Sequence, residues 1–366
     1  MRPRRRLTIR EIAEAAGVST QTVSRVLNNR PDVASETFER VQRIIADTGY
    51  APNMLARGLI QGRSRTLGVV AYGLEYFGPT RILTGIEQQA AEMGYSMSLN
   101  LIHQPEMDGV DGLLSSLSAR QVDGIIWAIP EVGDNRNWSH TRGPDFPVPV
   151  LLVGGMSGQS SLPSIAIDNR AIGRLATEHL LDGGARRIGI ITGPRSWWEA
   201  RERERGWRET LATHDLPVDE ALVVEGDWTA RSGEEGLERL IQSAPEIDAV
   251  FASNDQMALG VLHAAHRRGR LVPDELSVVG TDDTAEGSHY WPSLTTIHQP
   301  LREAGALAVQ TIDELIKQSN GGAASMGSPM ERNRLLAPVL IVRESSRCAK
   351  NSDVPDVAGR PPDRGM

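Results

Sequence analysis

Apolar residues in the first part of the chain recur at helical spacing, and beyond Thr66 they gather into short runs instead. Ile12, Ala13 and Ala16 share one face of a helix expected from Ile9 to Ala16, with Thr8 placed to cap it and Glu11 completing a capping box. Gly17 supplies the turn, because a left-handed backbone costs glycine little. Ser19 then caps a second helix reaching about Asn28, whose apolar face is Val23, Val26 and Leu27. A third amphipathic segment follows Pro31 and Ser35, with Phe38, Val41, Ile44 and Ile45 at helical spacing. Three short helices around one small core make a helix-turn-helix unit.

After Thr66 strand-like runs alternate with amphipathic helices. LGVVAY at 67–72 is followed by a helix over about Thr80–Met93, then by the runs SMSLNLI, VDGIIWAI and VPVLLVGG. After SIAID at 164–168 the scheme restarts, and RIGIITG, ALVVEGDW, DAVFASND and ELSVVGTDD each precede or follow a helix. Such alternation demands parallel sheets covered by helices on both faces. The fold expected is therefore α + α/β, a three-helix head followed by a two-lobed α/β core. Ligands in such cores lie at the carboxyl ends of strands, in the cleft between lobes.

Charge sharpens the division. The net charge is -8, yet residues 1–65 hold twelve arginines against six acids, +6, which leaves -14 for residues 66–366. A small basic head on a larger acidic body points to nucleic-acid contact by the head alone. No apolar run approaches the roughly 18 residues a membrane helix needs. MRPRRRLTIR is basic but lacks the apolar stretch of a secretory signal, so neither export nor a membrane partner is expected. The single cysteine, Cys348, rules out a disulfide within one chain and fits a reducing cytoplasm.

Thr20, Gln21, Ser24 and Arg25 form the exposed face of the second helix. Arginine can grip guanine bidentately and glutamine adenine, while hydroxyls suit phosphates. An ordinary solvated helix on a three-helix bundle fits the same residues. In the body, GDW at 226–228, SND at 253–255 and GTDD at 280–283 end strands with Trp228, Asn254 and Asp282, which should converge on one cleft. An aromatic face, an amide and a carboxylate together suit a sugar. Each also has a plainer reading: Trp228 as core, Asn254 as a helix cap, Asp282 as a strand end. Gln299, in LTTIHQP, offers a further hydrogen bond.

Enzyme signatures are missing. There is no Walker A, GxGxxG or GxSxG sequence. His263 and His266 sit three apart without further ligands, so no metal, cofactor or catalytic residue is expected.

The run TIREIAEAAGVSTQTVSRVLNNRPDVASETFERVQRIIADTGYAPNMLARGL resembles, without a gap, the N-terminus of the LacI/GalR family of bacterial regulators. The resemblance implies that the second helix enters the major groove, with Thr20, Gln21 and Arg25 reading bases and Ser24 and Asn28 on phosphates. Thr8, Ser19, Thr22, Asn53 and Ala56 belong to the same implied DNA-contacting set. It also implies a hinge helix from Asn53 to about Gln61, in which Leu59 wedges between base steps of operator DNA when two copies meet in the minor groove. The partners implied are a double-stranded operator, a second copy of the chain and a small effector.

For the body the resemblance implies a periplasmic-binding-protein-like (type I) core with three crossovers. The expected divisions are a head over 1–52, a hinge over 53–65 and a core over 66–345. Within the core the first lobe takes about 66–163 and 296–325, and the second about 164–292 and 330–345. A tail over 346–366, rich in Pro, Asp and Arg, is expected to lack fixed structure. In TGPRSWWEARERERGW the family position of a ligand-bridging arginine falls on Arg203, although alternating Arg and Glu also suit a solvated, salt-bridged helix. EYFGP at 75–79 places Tyr76 and Phe77 in a ligand-contacting loop. The function implied is a repressor of sugar-utilisation genes released by a sugar. The alternatives are a regulator with a purine or other corepressor, since EYFGP is similar to a loop of a purine-responsive member, and a sugar-binding receptor of another class.

Overall fold

The computed structural model describes residues 7–27, 30–50, 63–104, 110–133, 135, 138–139, 146–155, 160–319 and 333–348. The chain divides into two compact units, Met1–Arg65 and Thr66–Met366.

The first unit holds α1 (Ile9–Ala16), α2 (Thr20–Leu27) and α3 (Ser35–Thr48). Thr8 caps α1: its side chain accepts from the Glu11 N–H, and the Glu11 carboxylate accepts from the Thr8 N–H at 2.8 Å. Gly17 ends α1 in the left-handed conformation at φ 63°. The Ser19 hydroxyl accepts from the Thr22 N–H at 3.1 Å and so opens α2. α3 follows Ala34, which has no side chain able to cap it. Ile12, Ala13, Ala16, Val23, Val26 and Val41 form the core, with Phe38, Ile44 and Ile45 packed on it.

The second unit contains two six-stranded sheets. The first has β1 (Thr66–Tyr72), β2 (Ser96–Ile102), β3 (Gly124–Ala128), β4 (Val150–Val153), β5 (Ser164–Ile167) and, late in the chain, β11 (Asn333–Leu336), in the order β11-β5-β4-β3-β1-β2. The second has β6 (Ile188–Thr192), β7 (Val223–Glu225), β8 (Ala249–Ala252), β9 (Ser277–Asp282), β10 (Thr295–His298) and β12 (Val339–Ile341), in the order β12-β10-β9-β8-β6-β7. All pairings are parallel except β12 on β10. The strands read as continuous apolar runs because central parallel strands are buried on both faces; every residue of β3, β4, β5, β6 and β8 is buried.

Among the described residues, the first lobe has the helices α4 (Phe77–Glu92), α5 (Val110–Ala119) and the returning α10 (Leu301–Ser319). Those of the second are α6 (Asn169–Asp182), α7 (Trp198–Thr213), α8 (Ala230–Ser243) and α9 (Asp255–Arg267). α4 starts three residues before the expected Thr80, with Tyr76 as its cap. Pro79 does not prevent this, since proline is tolerated in a first helical turn, where N–H groups lack intrahelical partners.

Strand pairing moves the lobe divisions from where they were expected. Ser164–Ile167 pairs with β4 and β11 in the first sheet, so the chain crosses at Asp168 and not before SIAID. Thr295–His298 pairs with β9 in the second sheet, so the return falls after β10 and not at 296. The third crossing joins β11 to β12, and 333–336, expected in the second lobe, belongs to the first. The expected tail is also shorter at its start. Ser346 is buried, its hydroxyl donating to Thr295 Oγ1 at 2.7 Å, and Arg347 N–H donates to Ser277 Oγ at 3.3 Å. These bonds hold 346–348 on the second sheet; the rest of the tail lies outside the described residues.

Helix pairs approach closely through glycine. A Cβ on Gly173 would lie 2.0 Å from the Arg203 carbonyl, and one on Gly206 would lie 2.1 Å from that of Arg170. α6 and α7 therefore meet backbone to backbone, which fixes where the Arg203 side chain departs. No helix among the described residues is long and apolar enough to cross a membrane.

Candidate ligand cleft and DNA-reading face

Between the carboxyl ends of the two sheets lies a cavity partly open to solvent. The structure brings all seven expected residues to its wall: Tyr76, Phe77, Arg203, Trp228, Asn254, Asp282 and Gln299. Asn169, Trp197, Glu199, Gln256 and Leu301 line it as well.

Arg203 is the hub. It is 5% exposed. Its Nε donates to Asn169 Oδ1 at 2.8 Å, Nη2 donates to Gln299 Oε1 at 3.2 Å, and Nη1 donates to the Ser253 carbonyl. Gln299 passes the chain on, its Nε2 donating to Asp282 Oδ1 at 2.7 Å. Burial lowers the Arg203 pKa, and Asp282, Glu199 and Asp255 pull it back up. The neighbouring arginines of α7 do what alternation with glutamate suggests: Arg205 pairs with Glu209 at 3.2 Å and Arg208 with Glu204 at 2.7 Å. Arg203 alone of these three leaves the solvated face for the cleft.

Asp282 ends β9 at φ 127°, a backbone region that side chains rarely adopt. Burial raises its carboxyl first, repulsion from Asp255 raises it further, and Arg203 and the Gln299 bond act against both, leaving it at about 8. Asp255 is a structural carboxylate, accepting from Thr296 Oγ1 at 2.6 Å and from the Thr284 N–H at 2.8 Å. Burial raises its pKa to about 6.

Trp228 is buried and also lines the cavity. Its φ is 73°, and its ring lies where a Cβ on Gly193 would stand. The indole N–H is buried with no hydrogen-bond partner among the described residues. The Arg203 guanidinium carbon lies 5.7 Å from the ring centroid. Asn254 does cap α9, its Oδ1 accepting from the Met257 N–H at 2.8 Å, while its Nδ2 donates to the Trp228 carbonyl at 2.9 Å. Cap and cleft wall are one residue. Tyr76 meets Trp197 edge to face at 5.2 Å, and Arg81 lies over the Phe77 ring at 4.9 Å.

Two of these further residues carry a signal in the sequence. Glu199 stands four before Arg203, hence on the same helical face. Trp197 sits in the loop after β6, at a strand's carboxyl end. Asp168 and Asn169 divide their labour: Asp168 caps α6 through the Ala171 N–H at 2.9 Å, and Asn169 turns inward to Arg203.

On the head, Thr20, Gln21 and Arg25 are exposed along α2, and Thr22 and Ser24 are half-buried. Arg25 lies 3.5 Å from Asp32 in an exposed pair. Thr8 and Ser19 serve as caps. Asn28, Asn53, Ala56 and Leu59 lie outside the described residues. No cluster of three or more His, Cys, Asp or Glu among the described residues could hold a metal ion.

Residues 8–53 match the bacterial regulatory proteins of the lacI family, and residues 177–346 match the periplasmic binding protein-like domain. The chain is 33% identical over 347 residues to the lactose operon repressor of Escherichia coli strain K12, covering 94% of this chain and 92% of that one. It is 32% identical over 313 residues to catabolite control protein A of Priestia megaterium, covering 85% and 93%. Among solved structures, the lac repressor dimer bound to operator and the anti-inducer ONPF superposes with a TM-score of 0.79 at 32% identity, covering 94% of this chain and all of that one. The transcriptional regulator CelR in complex with cellobiose gives 0.66 at 30% identity, covering 93% of this chain. A capped helix-turn-helix, a two-lobed core and identity of this order along nearly the whole length place the protein in the LacI family of bacterial regulatory proteins.

Proposed function

We propose that this DNA-binding transcriptional regulator acts in the cytoplasm as a homodimeric repressor of sugar-utilisation genes, released from a palindromic operator by a sugar held between its lobes. The observation that carries the sugar reading is the polar chain Arg203–Gln299–Asp282 running beside the Trp228 indole in one cavity. Amide, carboxyl and guanidinium groups supply donors and acceptors for vicinal hydroxyls, and an indole face suits the apolar face of a pyranose. The lac repressor and CelR structures with ONPF and cellobiose support the same class.

In this reading Thr20, Gln21 and Arg25 contact bases and Ser24 and Asn28 phosphates, with Thr8, Ser19 and Thr22 ordering the helix ends near the backbone. Asn53, Ala56 and Leu59 form the minor-groove element. The sugar changes operator affinity only as far as it prefers one arrangement of the lobes to the other. A hundredfold relief of repression corresponds to about 2.7 kcal/mol of coupling.

Thermal unfolding against lactose, cellobiose, ribose and purine bases tests this. A true effector at a hundred times its dissociation constant should add about 2.7 kcal/mol and raise the midpoint by several degrees. The same sugar should weaken operator binding in a titration. Stabilisation by purines alone overturns the sugar reading, and unchanged operator affinity with bound sugar overturns the coupling.

A further inference from the structure

One contact beside the cavity belongs to neither lobe's own packing. Residues 129–133 follow β3 in the first lobe, and residues 193–197 follow β6 in the second and lead into α7. Val132 and Trp197 form an isolated antiparallel bridge between them. In it the Gly133 N–H donates to the Ser196 carbonyl at 2.9 Å, and the Trp198 N–H donates to the Glu131 carbonyl at 2.9 Å.

Both loops are stiffened locally. Asn135 Oδ1 accepts from the Val132 N–H at 3.2 Å, and its Nδ2 donates to the Pro130 carbonyl at 2.9 Å. Arg201 donates to the carbonyls of Arg195 at 3.0 Å and Ser196 at 2.8 Å, and its guanidinium lies 3.9 Å from the buried Glu131 carboxylate of the other lobe. Trp197 is the centre of the aromatic contacts as well. Its ring lies 6.3 Å from Tyr72 and 5.2 Å from Tyr76 in the first lobe, and 5.8 Å from Trp228 in its own. The same ring lines the cavity.

We propose that Trp197 is a positioning and specificity-determining residue that ties occupancy of the cleft to a latch between the lobes, formed by 131–133 and 196–198. The proposal rests on the sugar reading of the cleft for the class of ligand, and on backbone geometry for the latch. Two backbone hydrogen bonds at a partly solvated edge are individually weak, so an isolated bridge opens readily. The ring, held tilted and edge to face among Tyr72, Tyr76 and Trp228, is what makes it persist. A saccharide whose apolar face lies on the cavity side of Trp197 holds the ring and shuts the latch. One that displaces the ring parts it, and only such a difference can bias the lobes.

Hydrogen exchange on the full-length, sugar-free chain reads the latch whatever the effector is. Gly133 is exposed, so the bridge is what shields its amide. The Gly133 and Trp198 amides should exchange at least about tenfold more slowly than in an unstructured peptide. Trp197→Ala should abolish that protection and Trp197→Phe should restore most of it, with the amides of β3 and β6 unchanged in both. Exchange of Gly133 at the unprotected rate in the wild type, or full protection in Trp197→Ala, overturns the latch. With cellobiose as probe, Trp197→Ala should speed association and dissociation alike by about tenfold, again with rescue by Trp197→Phe. A change confined to dissociation makes Trp197 a wall without a latch and overturns the coupling. Failure of cellobiose to bind the wild type counts against the sugar reading alone, because the exchange result stands without it.

Discussion

α2 and α7 both carry arginine among polar residues, and they use it in opposite ways. Arg25 is exposed, and its partner Asp32 is an exposed carboxylate 3.5 Å away. Such a pair contributes little and is readily exchanged for another anion or a base edge. Arg203 is buried, and its donors go to Asn169, Ser253 and Gln299. α2 keeps its side chains open to a partner outside the protein, whereas Arg203 gives donors to the walls of the cleft itself. Removing an arginine should therefore cost binding in one place and folding in the other.

The strongest way to break that contrast is Arg203→Ala. It leaves three buried neutral acceptors without their donor, and a buried acceptor left unsatisfied costs about 1–3 kcal/mol. Urea unfolding of the body should show that loss, and the sugar-induced rise in midpoint should vanish with it. A loss below about 1 kcal/mol would mean that the acceptors find other donors, and the cleft would be no more committed than α2.

A pH series sharpens the same point. The Asp282 carboxyl is raised by burial to about 8, so the folded state holds a proton that the unfolded chain releases near the ordinary carboxylate value. Its contribution is complete at low pH and is lost as pH rises towards 8. Asp255, raised to about 6, acts in the same direction. Burial lowers the pKa of His179, which acts oppositely: its contribution is lost as pH falls through the ordinary histidine value. Comparison with Asp282→Asn removes this carboxyl together with its repulsion of Asp255. Between pH 5.5 and 8 the wild type should lose about 2 kcal/mol relative to the variant, within the limit of roughly 1.4 kcal/mol per pH unit for one proton. Parallel curves would place Asp282 as an ordinary ionised carboxylate.

On α2 the expectation reverses. Arg25→Ala and Gln21→Ala should each lower affinity for the preferred operator, selected from random duplexes, by about 1–3 kcal/mol and relax preference at one base pair. Unfolding should move by no more than about 0.5 kcal/mol, as for other exposed positions. Loss that is equal on selected and random DNA would assign these residues to phosphates.

What was legible in the sequence follows the same division between local and distant interactions. Thr8 with Glu11, Ser19 with Thr22, and the apolar faces of α1 and α2 are set within four residues, and periodicity exposes them. Strand runs are equally plain, since buried parallel strands need little else. Which sheet a run joins is decided by partners far along the chain. Ser164–Ile167 pairs with Asn333–Leu336, and no local pattern in SIAID says so. The hydroxyls that hold 346–348 likewise find Thr295 and Ser277 across long separations. In the cleft, the seven expected residues came from strand ends and from a family pattern. The bridge at Trp197 depends on how the two lobes meet, and the inward turn of Asn169 and the left-handed backbone of Trp228 go with contacts far along the chain within the second lobe; none had a local signature.

The smallest expected effect separates a cap from a contact at Thr8. Its hydroxyl accepts from the Glu11 N–H at 3.4 Å and donates to Glu11 Oε2 at 3.0 Å, and the Thr8 N–H is held by the same carboxylate. Thr8→Ala should thus cost about 1 kcal/mol of head stability, the usual value of an N-cap. If Thr8 also meets DNA, affinity must respond to something other than the cap. Thr8→Asp supplies that separation. Aspartate caps the helix and suits its positive end, but it loses the donation to Glu11 Oε2 and faces that carboxylate, so the head should lose about as much stability as in Thr8→Ala. A carboxylate beside a phosphate would still lower affinity for operator and random DNA together, more strongly at low salt. Full affinity in Thr8→Asp, with a less stable head in Thr8→Ala, would reduce Thr8 to a cap and leave contact with DNA to the exposed face of α2.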